Sequence, residues 1–459
     1  MTAFSLEPAQ VAWCAELRAL AAERLRPLAE KGEPGRVNRA LLAELGALGL
    51  LPRLFTSGAL DLCLMRESLA HSCTEAETAL ALQGLGAHPV HAHGTEAQRA
   101  RWLPRVSDGS AVAAFALSEP DAGSDAAALT LGAEPVTGRA DAGAPGPDEG
   151  RGAERGPEAN PPPDAGGTGT GPDGAPDSAV PWPGGRASRP AGDAEGPVAR
   201  PARPAGASLA AHRDGPAAWR LTGEKCWISN APEADVYTVF ARTTPGAGAR
   251  GVTAFLVPAD RPGLTGTPLD MLSPHPIGAL AFDAVPVTAE DVLGEVDRGF
   301  RVAMGTLNLF RPSVGAFAVG MAQAALDATL AHTTAREAFG GRLRDLQTVA
   351  HQTAEMALRT EAARLMVYAA ATAYDEGAPD VPRRSAMAKL LATETAQYVV
   401  DRAVQLHGAR ALRRGHLLEH LYREVRAPRV YEGASEVQRG IIAKELYRTL
   451  DATTEEAGS

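Results

Sequence analysis

Apolar residues in the first hundred positions recur at helical spacing. Val11, Cys14, Leu17, Ala21, Leu25 and Leu28 fall on one arc of a 3.6-residue repeat. Further helices are predicted over 38–50 and 60–70. Thr95 and Gln98 stand at capping-box spacing ahead of a short helix bracketed by Gly94 and Pro104. Beyond residue 111, short β-type runs take over at 236–243, 252–257 and 279–282. Two more, at 219–221 and 226–229, are joined by Thr222-Gly223-Glu224-Lys225, and this spacing predicts a small antiparallel sheet or barrel. From about residue 299 the helical repeat returns. Residues 348–374 are apolar nearly all round near Leu365, Met366, Val367 and Tyr368, as in a helix inside a bundle, and Gly377 and Pro379 stop it. A similar helix over 386–406 ends at Gly408, a last one covers 435–447, and an acidic tail, 451–459, is expected to fray. The expected fold is α+β and multidomain. A helical domain covers 1–110, a central antiparallel β domain 111–295 and a C-terminal helical bundle 296–450.

One stretch breaks the pattern. Residues 137–207 hold 16 Gly and 14 Pro but no Leu, Ile, Phe, Met, Tyr or Lys. Such a segment cannot bury enough apolar surface to offset its ordering entropy, so it reads as a disordered insertion in the β domain. Its one aromatic residue is Trp182. Over the whole chain of 459 residues the net charge is −10, which argues against a nucleic-acid partner. No run approaches the roughly 18 apolar residues of a membrane span. The N-terminus, with Glu7 and no basic segment ahead of an apolar run, does not read as a signal peptide. Cys14, Cys63, Cys73 and Cys226 are scattered, as suits free thiols in a cytoplasm, and Cys14 falls on an apolar helix face.

Common chemical signatures are missing: there is no GxxxxGK[ST], no GxGxxG after a strand and no HExxH. His88, His91 and His93 cluster, but no thiol or carboxylate completes a metal set and Pro89 interrupts helical spacing, so a helix-end loop is expected there. Three segments carry more chemistry. The first, Phe115-Ala-Leu-Ser-Glu-Pro-Asp-Ala-Gly-Ser-Asp125, offers hydroxyls and backbone N–H groups at a strand end; by itself it could be a plain turn. In the second, Lys225-Cys-Trp-Ile-Ser-Asn230, Trp227 and Ser229 share one strand face and could cover and hydrogen-bond an aromatic ring; alone, Trp227 could equally be core. In the third, Tyr431-Glu-Gly-Ala-Ser-Glu-Val-Gln-Arg439, a carboxylate precedes a helix beside a glycine that permits close approach. By itself that could be a solvated first-turn residue.

In this order the three segments resemble the acyl-CoA dehydrogenase family. So do Arg336-Glu-Ala-Phe-Gly340, Gln405-Leu-His-Gly408 and the stretch 282–299. The resemblance covers most of the chain outside the insertion. It implies a helical domain, a β domain and a C-terminal four-helix domain, with FAD held without a Rossmann fingerprint. It implies that Phe115, Leu117 and Ser118 line the flavin, that Trp227 covers the ring and that Ser229 donates near N5. Gly123, Ser124, Gln347, Gly408, Ala434 and Glu436 fall at cofactor positions. Ser124, Asn308, Arg311, Gly433 and Lys444 fall at substrate positions. Arg336, Phe339 and Gln405 match residues that reach the FAD of a neighbouring subunit, which implies a homo-oligomer, a dimer or tetramer.

The implied reaction is α,β-dehydrogenation of an acyl-CoA to the trans-2-enoyl-CoA. Glu432 would remove the α-proton while the β-hydride moves to flavin N5, and an electron-transfer flavoprotein would be the acceptor. The thioester α-C–H is a very weak acid, so hydrogen bonds to the carbonyl must stabilise the enolate; the resemblance assigns one to the Glu432 N–H. Desolvation should raise the carboxyl pKa and outweigh the adjacent helix N-terminus, worth only about 0.3–1 kcal/mol. Some relatives carry the base at the position of Phe310, which cannot serve here. Arg311 could instead make a helix-surface salt bridge. Two departures stand out. A glycine-rich run is reduced to His407-Gly408-Ala409-Arg410-Ala411, and Glu436 replaces a usual Gln. A flavin oxidase or monooxygenase on the same fold, or a non-catalytic acyl-thioester-binding flavoprotein, are the rival readings.

Overall fold

Glu7 opens the first helix as half of a capping box with Gln10. In this computed structural model of the chain, residues 6–136 and 218–457 are described; the expected insertion at 137–207 lies outside them. Helix α1 (Pro8–Leu20) runs through a π-helical turn (Ala21–Leu25) into α2 (Arg26–Ala29). Leu17, Ala21 and Leu25 are fully buried, whereas Val11, first on the predicted arc, faces out. The helix expected over 38–50 is two. Asn38 caps α3 (Arg39–Ala47) by accepting from the Leu41 N–H, and Gly49, in a left-handed conformation, restarts the chain as α4 (Leu50–Thr56). Next come α5 (Ala59–Ser72), α6 (Thr74–His93) and α7 (Glu96–Ser107). The Thr95–Gln98 capping box forms as expected, but Pro104 lies within α7 rather than beyond it. Pro89 likewise lies within α6, so His88, His91 and His93 are helical and not in a loop. Burial pulls the His88 imidazole down to about 4, which keeps it neutral. Among the described residues no cluster of His, Cys, Asp or Glu has the makings of a metal site.

The β domain is one eight-stranded sheet. Its strands are β1 (Ala113–Ala116), β2 (Gly132–Pro135), β3 (Trp219–Ser229), β4 (Val236–Arg242), β5 (Val252–Pro258), β6 (Leu264–Pro268), β7 (Ile277–Val287) and β8 (Val292–Leu293). The order is β6-β7-β3-β2-β4-β5-β8, with β1 also on β4. Two corrections follow. The sheet is mixed, because β1 and β2 each pair with β4 in parallel. The two runs in 219–229 form one strand, and the Thr222–Lys225 segment is no hairpin turn; register shifts against β7 absorb its irregularities. Helix α6 lies directly on the sheet. A side chain at Gly86 would meet the Ala113 backbone at 2.6 Å, and Gln83 both donates to Ala111 O (2.7 Å) and accepts from Ala113 N (2.8 Å).

The C-terminal part is built on α8 (Gly299–Ala335), α9 (Gln347–Asp375), α10 (Val381–His407), α11 (Leu417–Glu424) and α12 (Ser435–Ala457). Helix α8 is long and apolar enough to cross a membrane, but 72% of its most apolar stretch is buried inside the protein, packed on α5, α9 and α10. Leu365 breaks the all-round apolar reading of α9: it is exposed while Val367 and Tyr368 are buried. Helix α12 runs to Ala457, so most of the expected tail is helical. Replacing Gln83 by Leu strips two buried backbone groups of their partners at about 1–3 kcal/mol each. Thermal denaturation of Gln83→Leu should therefore show a clearly lowered midpoint; an unchanged one would refute the role given to Gln83.

Candidate active site

The loop ahead of α12 carries Glu432 at a φ of +51° and Gly433 at +94°. Left-handed backbone at a glutamate is strained and persists only where the surroundings over-determine it. Here they do. Lys389 Nζ on α10 donates to Gly433 O (2.7 Å), and Gln438 Nε2 donates to the carbonyls of Glu432 (3.2 Å) and Gly433 (2.9 Å). Arg311 Nε on α8 donates to Glu432 O at 3.4 Å. The φ of +94° at Gly433 favours glycine, and a side chain there would also press on Gln438 Nε2 at 2.4 Å. The carboxyl itself turns inward, and Glu432 Oε2 is buried with no hydrogen-bond partner. Burial raises its pKa above the ordinary carboxylate value, and the nearby cations Arg66, Lys389 and Arg311 only partly offset that. The Glu432 N–H has no acceptor among the described residues.

A second constellation forms where β1 ends. Lys225, wholly buried on β3, donates to Leu117 O (2.9 Å) and to Glu119 Oε1 (2.8 Å). Glu119 also accepts from the N–H groups of Thr130 (2.6 Å) and Leu131 (2.9 Å). Burial pulls the Lys225 ammonium down to about 8 against the attraction of Glu119. The same burial raises Glu119, but Lys225 and the two N–H donors leave it below its usual range. This pair and the bond from Cys226 N to Ser118 O (3.0 Å) clamp the Leu117–Ser118 segment to β3. At the β3 irregularity Trp227 takes a φ of +57° and is 47% exposed, so its indole stands out from the sheet. Ser118 and Ser229 are half-buried, Gly123 and Ser124 are exposed, and Phe115 packs on Phe240 with ring centroids 4.9 Å apart. Leu117 is buried.

The expected residues thus separate into groups. Asn308, Arg311, Gly433 and Ala434 gather with Glu432; Asn308 Oδ1 accepts from Arg311 Nη1 at 3.1 Å. Arg311 is 6% exposed, so it is no surface salt bridge: it braces the Glu432 backbone. Arg336, Phe339, Gln347, Gln405 and Gly408 are exposed. Arg336 and Gln405–Gly408 come together at the far ends of α8 and α10, where the rings of His332 and His407 stack at 4.1 Å. Along α8 that end lies about 36 Å from Arg311 at 1.5 Å per residue. Glu436 and Lys444 are exposed on α12, and Glu436 pairs with Arg439 (3.4 Å). Of the glycine-run departures, Ala411 is buried, which leaves Ala409 and Arg410 at the surface. Sequence reading passed over Arg66, Lys389 and Gln438. Lys389 did carry a signal: it interrupts a helical arc of small residues with Ser385, Ala388, Ala392 and Ala396, all buried.

Comparison with known proteins agrees with this geometry. The chain matches the acyl-CoA dehydrogenase N-terminal domain over residues 7–110, the middle domain over 203–285 and the C-terminal domain over 297–447. It belongs to the acyl-CoA dehydrogenase family. It is 30% identical to the mitochondrial short-chain specific acyl-CoA dehydrogenase of Bos taurus over 444 residues, 94% of this chain and 88% of that one. It is 29% identical to the probable acyl-CoA dehydrogenase fadE25 of Mycobacterium leprae over 95% of this chain and 94% of that one. With the Mycobacterium tuberculosis FadE25 the identity is 39%, over 50% of this chain; that match spans 60% of the relative's length. Butyryl-CoA dehydrogenase from Megasphaera elsdenii superposes with a TM-score of 0.75 at 26% identity, covering 97% of this chain and 99% of that one.

Membership brings FAD as the cofactor, and the residues present fit it. An exposed indole and two hydroxyls, Ser118 and Ser229, border one face of the sheet on a buried clamp. Removing one partner of a buried ion pair costs about 3–5 kcal/mol. Glu119→Gln should therefore lower the melting midpoint and release flavin during dialysis that leaves the unaltered protein yellow. Full flavin retention at an unchanged midpoint would refute the clamp.

Proposed function

We propose that the protein catalyses α,β-dehydrogenation of an acyl-CoA thioester to the trans-2-enoyl-CoA, with Glu432 as the base. The observation that carries this reading is the buried Glu432 Oε2 without a hydrogen-bond partner, on a backbone braced from three helices. An oxygen with no hydrogen bond to give up can accept a proton without first breaking one. Its raised pKa makes it a stronger base than a carboxylate in water. The Glu432 N–H, with no acceptor of its own, can donate to the thioester carbonyl and stabilise charge as the α-proton leaves. FAD, when bound, supplies the acceptor for the β-hydride. Trp227 would lie over its ring system, and Ser118 and Ser229 would hold its polar edge.

Two further parts belong to this reading. The exposed group of Arg336, Phe339, Gln405 and Gly408, about 36 Å along α8 from Arg311, would serve the cofactor of a neighbouring subunit, so the protein would work as a homo-oligomer. Electrons would leave to an electron-transfer flavoprotein.

Glu432→Gln should keep FAD and lose about 10²–10⁴-fold in flavin bleaching by an acyl-CoA. The check is anaerobic mixing with a panel of acyl-CoA thioesters. Undiminished bleaching by the variant would overturn the assignment of the base, and rapid re-oxidation of the bleached protein by oxygen would favour an oxidase. In the unaltered enzyme kcat/KM should fall as pH is lowered, because a protonated Glu432 cannot accept the proton. The midpoint of that fall should lie above the ordinary glutamate value of about 4.3. A profile still flat below that value would refute the raised pKa.

A further inference from the structure

Near its start, α8 carries an open stripe that leads to the base loop. Arg301, Gly305 and Asn308 stand at i, i+4 and i+7, on one face of the helix. Arg301 and Gly305 are exposed, Asn308 is half-buried, and Arg311, which donates to Asn308 Oδ1, is 6% exposed. A side chain at Gly305 would meet nothing within 4 Å, so the surface there is open. The stripe thus descends from solvent to the residue that donates to the Glu432 carbonyl. Arg301 and Arg311 lie about 15 Å apart along the helix at 1.5 Å per residue.

The outer end of the stripe is a braced rim. Asp297, at a φ of +62°, accepts from the hydroxyls of Thr243 (2.6 Å) and Thr244 (2.8 Å), and its N–H donates to Thr253 Oγ1 (2.8 Å). The N–H groups of Thr243 and Thr244 donate to Gly251 O at 2.9 and 3.2 Å, which ties the short turn Gly248–Gly251 to the end of β4. Arg242 joins that turn to the segment after Ser124: it donates to Gly248 O (2.9 Å), Ala127 O (2.7 Å) and Leu129 O (2.9 Å). Three arginines stand exposed on this rim, Arg250 in the turn and Arg298 and Arg301 at the start of α8. None of them has an ion pair among the described residues. Asp297 is engaged with hydroxyls, and the exposed Glu295 pairs with none of the three. In a chain of net charge −10, a rim of unpaired cations marks a place for an anion.

We propose that this rim binds the phosphates of the coenzyme A nucleotide through Arg250, Arg298 and Arg301, and so selects a free coenzyme A thioester over one carried on a protein. The proposal rests on the reading of Glu432 as the base, because that reading fixes where the thioester lies. The arm between the thioester and the diphosphate of coenzyme A is about as long as four or five extended residues, roughly 15 Å. With the thioester carbonyl at the Glu432 N–H, an arm laid along the stripe brings the diphosphate to Arg301. A guanidinium meets phosphate oxygens with paired donors and keeps its charge throughout the working range. The nucleotide offers a diphosphate and a 3′-phosphate, whereas a carrier-bound arm ends in a single phosphodiester. Three separate guanidinium groups match the nucleotide.

The test is calorimetric binding of three thioesters to the FAD-loaded enzyme: acetyl-CoA, acetyl-dephospho-CoA, which lacks the 3′-phosphate, and S-acetylpantetheine, which lacks every phosphate. An acetyl group has no β-carbon, so none of them can be dehydrogenated. Affinity should fall in that order, and added salt should weaken acetyl-CoA far more than S-acetylpantetheine. Arg250→Gln, Arg298→Gln and Arg301→Gln should each weaken acetyl-CoA about threefold or more, and the triple variant about tenfold or more. The loss should be smallest for S-acetylpantetheine. Equal losses for acetyl-CoA and S-acetylpantetheine would mean that the arginines act through the fold, and would overturn the proposal. So would an unchanged acetyl-CoA affinity in the triple variant, or tighter binding of an acetylated acyl carrier protein than of acetyl-CoA. These affinities involve no turnover, so they are read separately from flavin bleaching by Glu432→Gln, which decides the base.

Discussion

Everything distinctive about this protein turns on holding one carboxylate in a place that water would not choose for it. Glu432 is turned inward on a strained backbone, with one oxygen unpartnered, and burial raises its pKa. Three cations from three different helices counter that rise without closing a hydrogen bond on the free oxygen. The strain at Glu432 and the steric demand for Gly433 are local costs of that arrangement, offset by Gln438, Lys389 and Arg311.

The sheet solves a complementary problem by the same means. A planar ligand needs a rigid edge, and loops are rarely rigid by themselves. Lys225 and Glu119 make the Leu117–Ser118 segment an extension of β3. Glu119 spends its remaining capacity on the backbone of Thr130 and Leu131, so both charges are buried but fully engaged. In both halves of the site a buried charge positions backbone rather than facing solvent. The two halves differ in what is left over: an exposed indole on the sheet and an unpartnered oxygen on the loop.

Helix α8 connects these functions over distance. Its middle carries Arg311, which donates to the Glu432 carbonyl, and Ser313, which accepts from Arg66, and its end delivers Arg336 to the surface beside the end of α10. A long helix is stiff enough to hold both ends in register, and its apolar faces are satisfied by α5, α9 and α10. That packing explains why its composition reaches that of a membrane-crossing helix.

What the chain alone determined was the division into helical, β and helical parts, the cap at Thr95, the strand runs near 236–243 and 252–257, and the loop that carries Glu432. These are legible because periodicity, capping and turn chemistry act over a few residues. The continuity of β3 was not legible, because a glycine within Thr222–Lys225 looks the same in a turn and in a strand bent by register shifts. Nor was the course of α6 through Pro89, since packing across its whole surface can outweigh one lost backbone bond. The surroundings of Glu432 were beyond sequence for a deeper reason. Arg66, Arg311 and Lys389 lie up to 366 residues away from it along the chain, and a pKa depends on distance and dielectric, which exist only once the helices have packed.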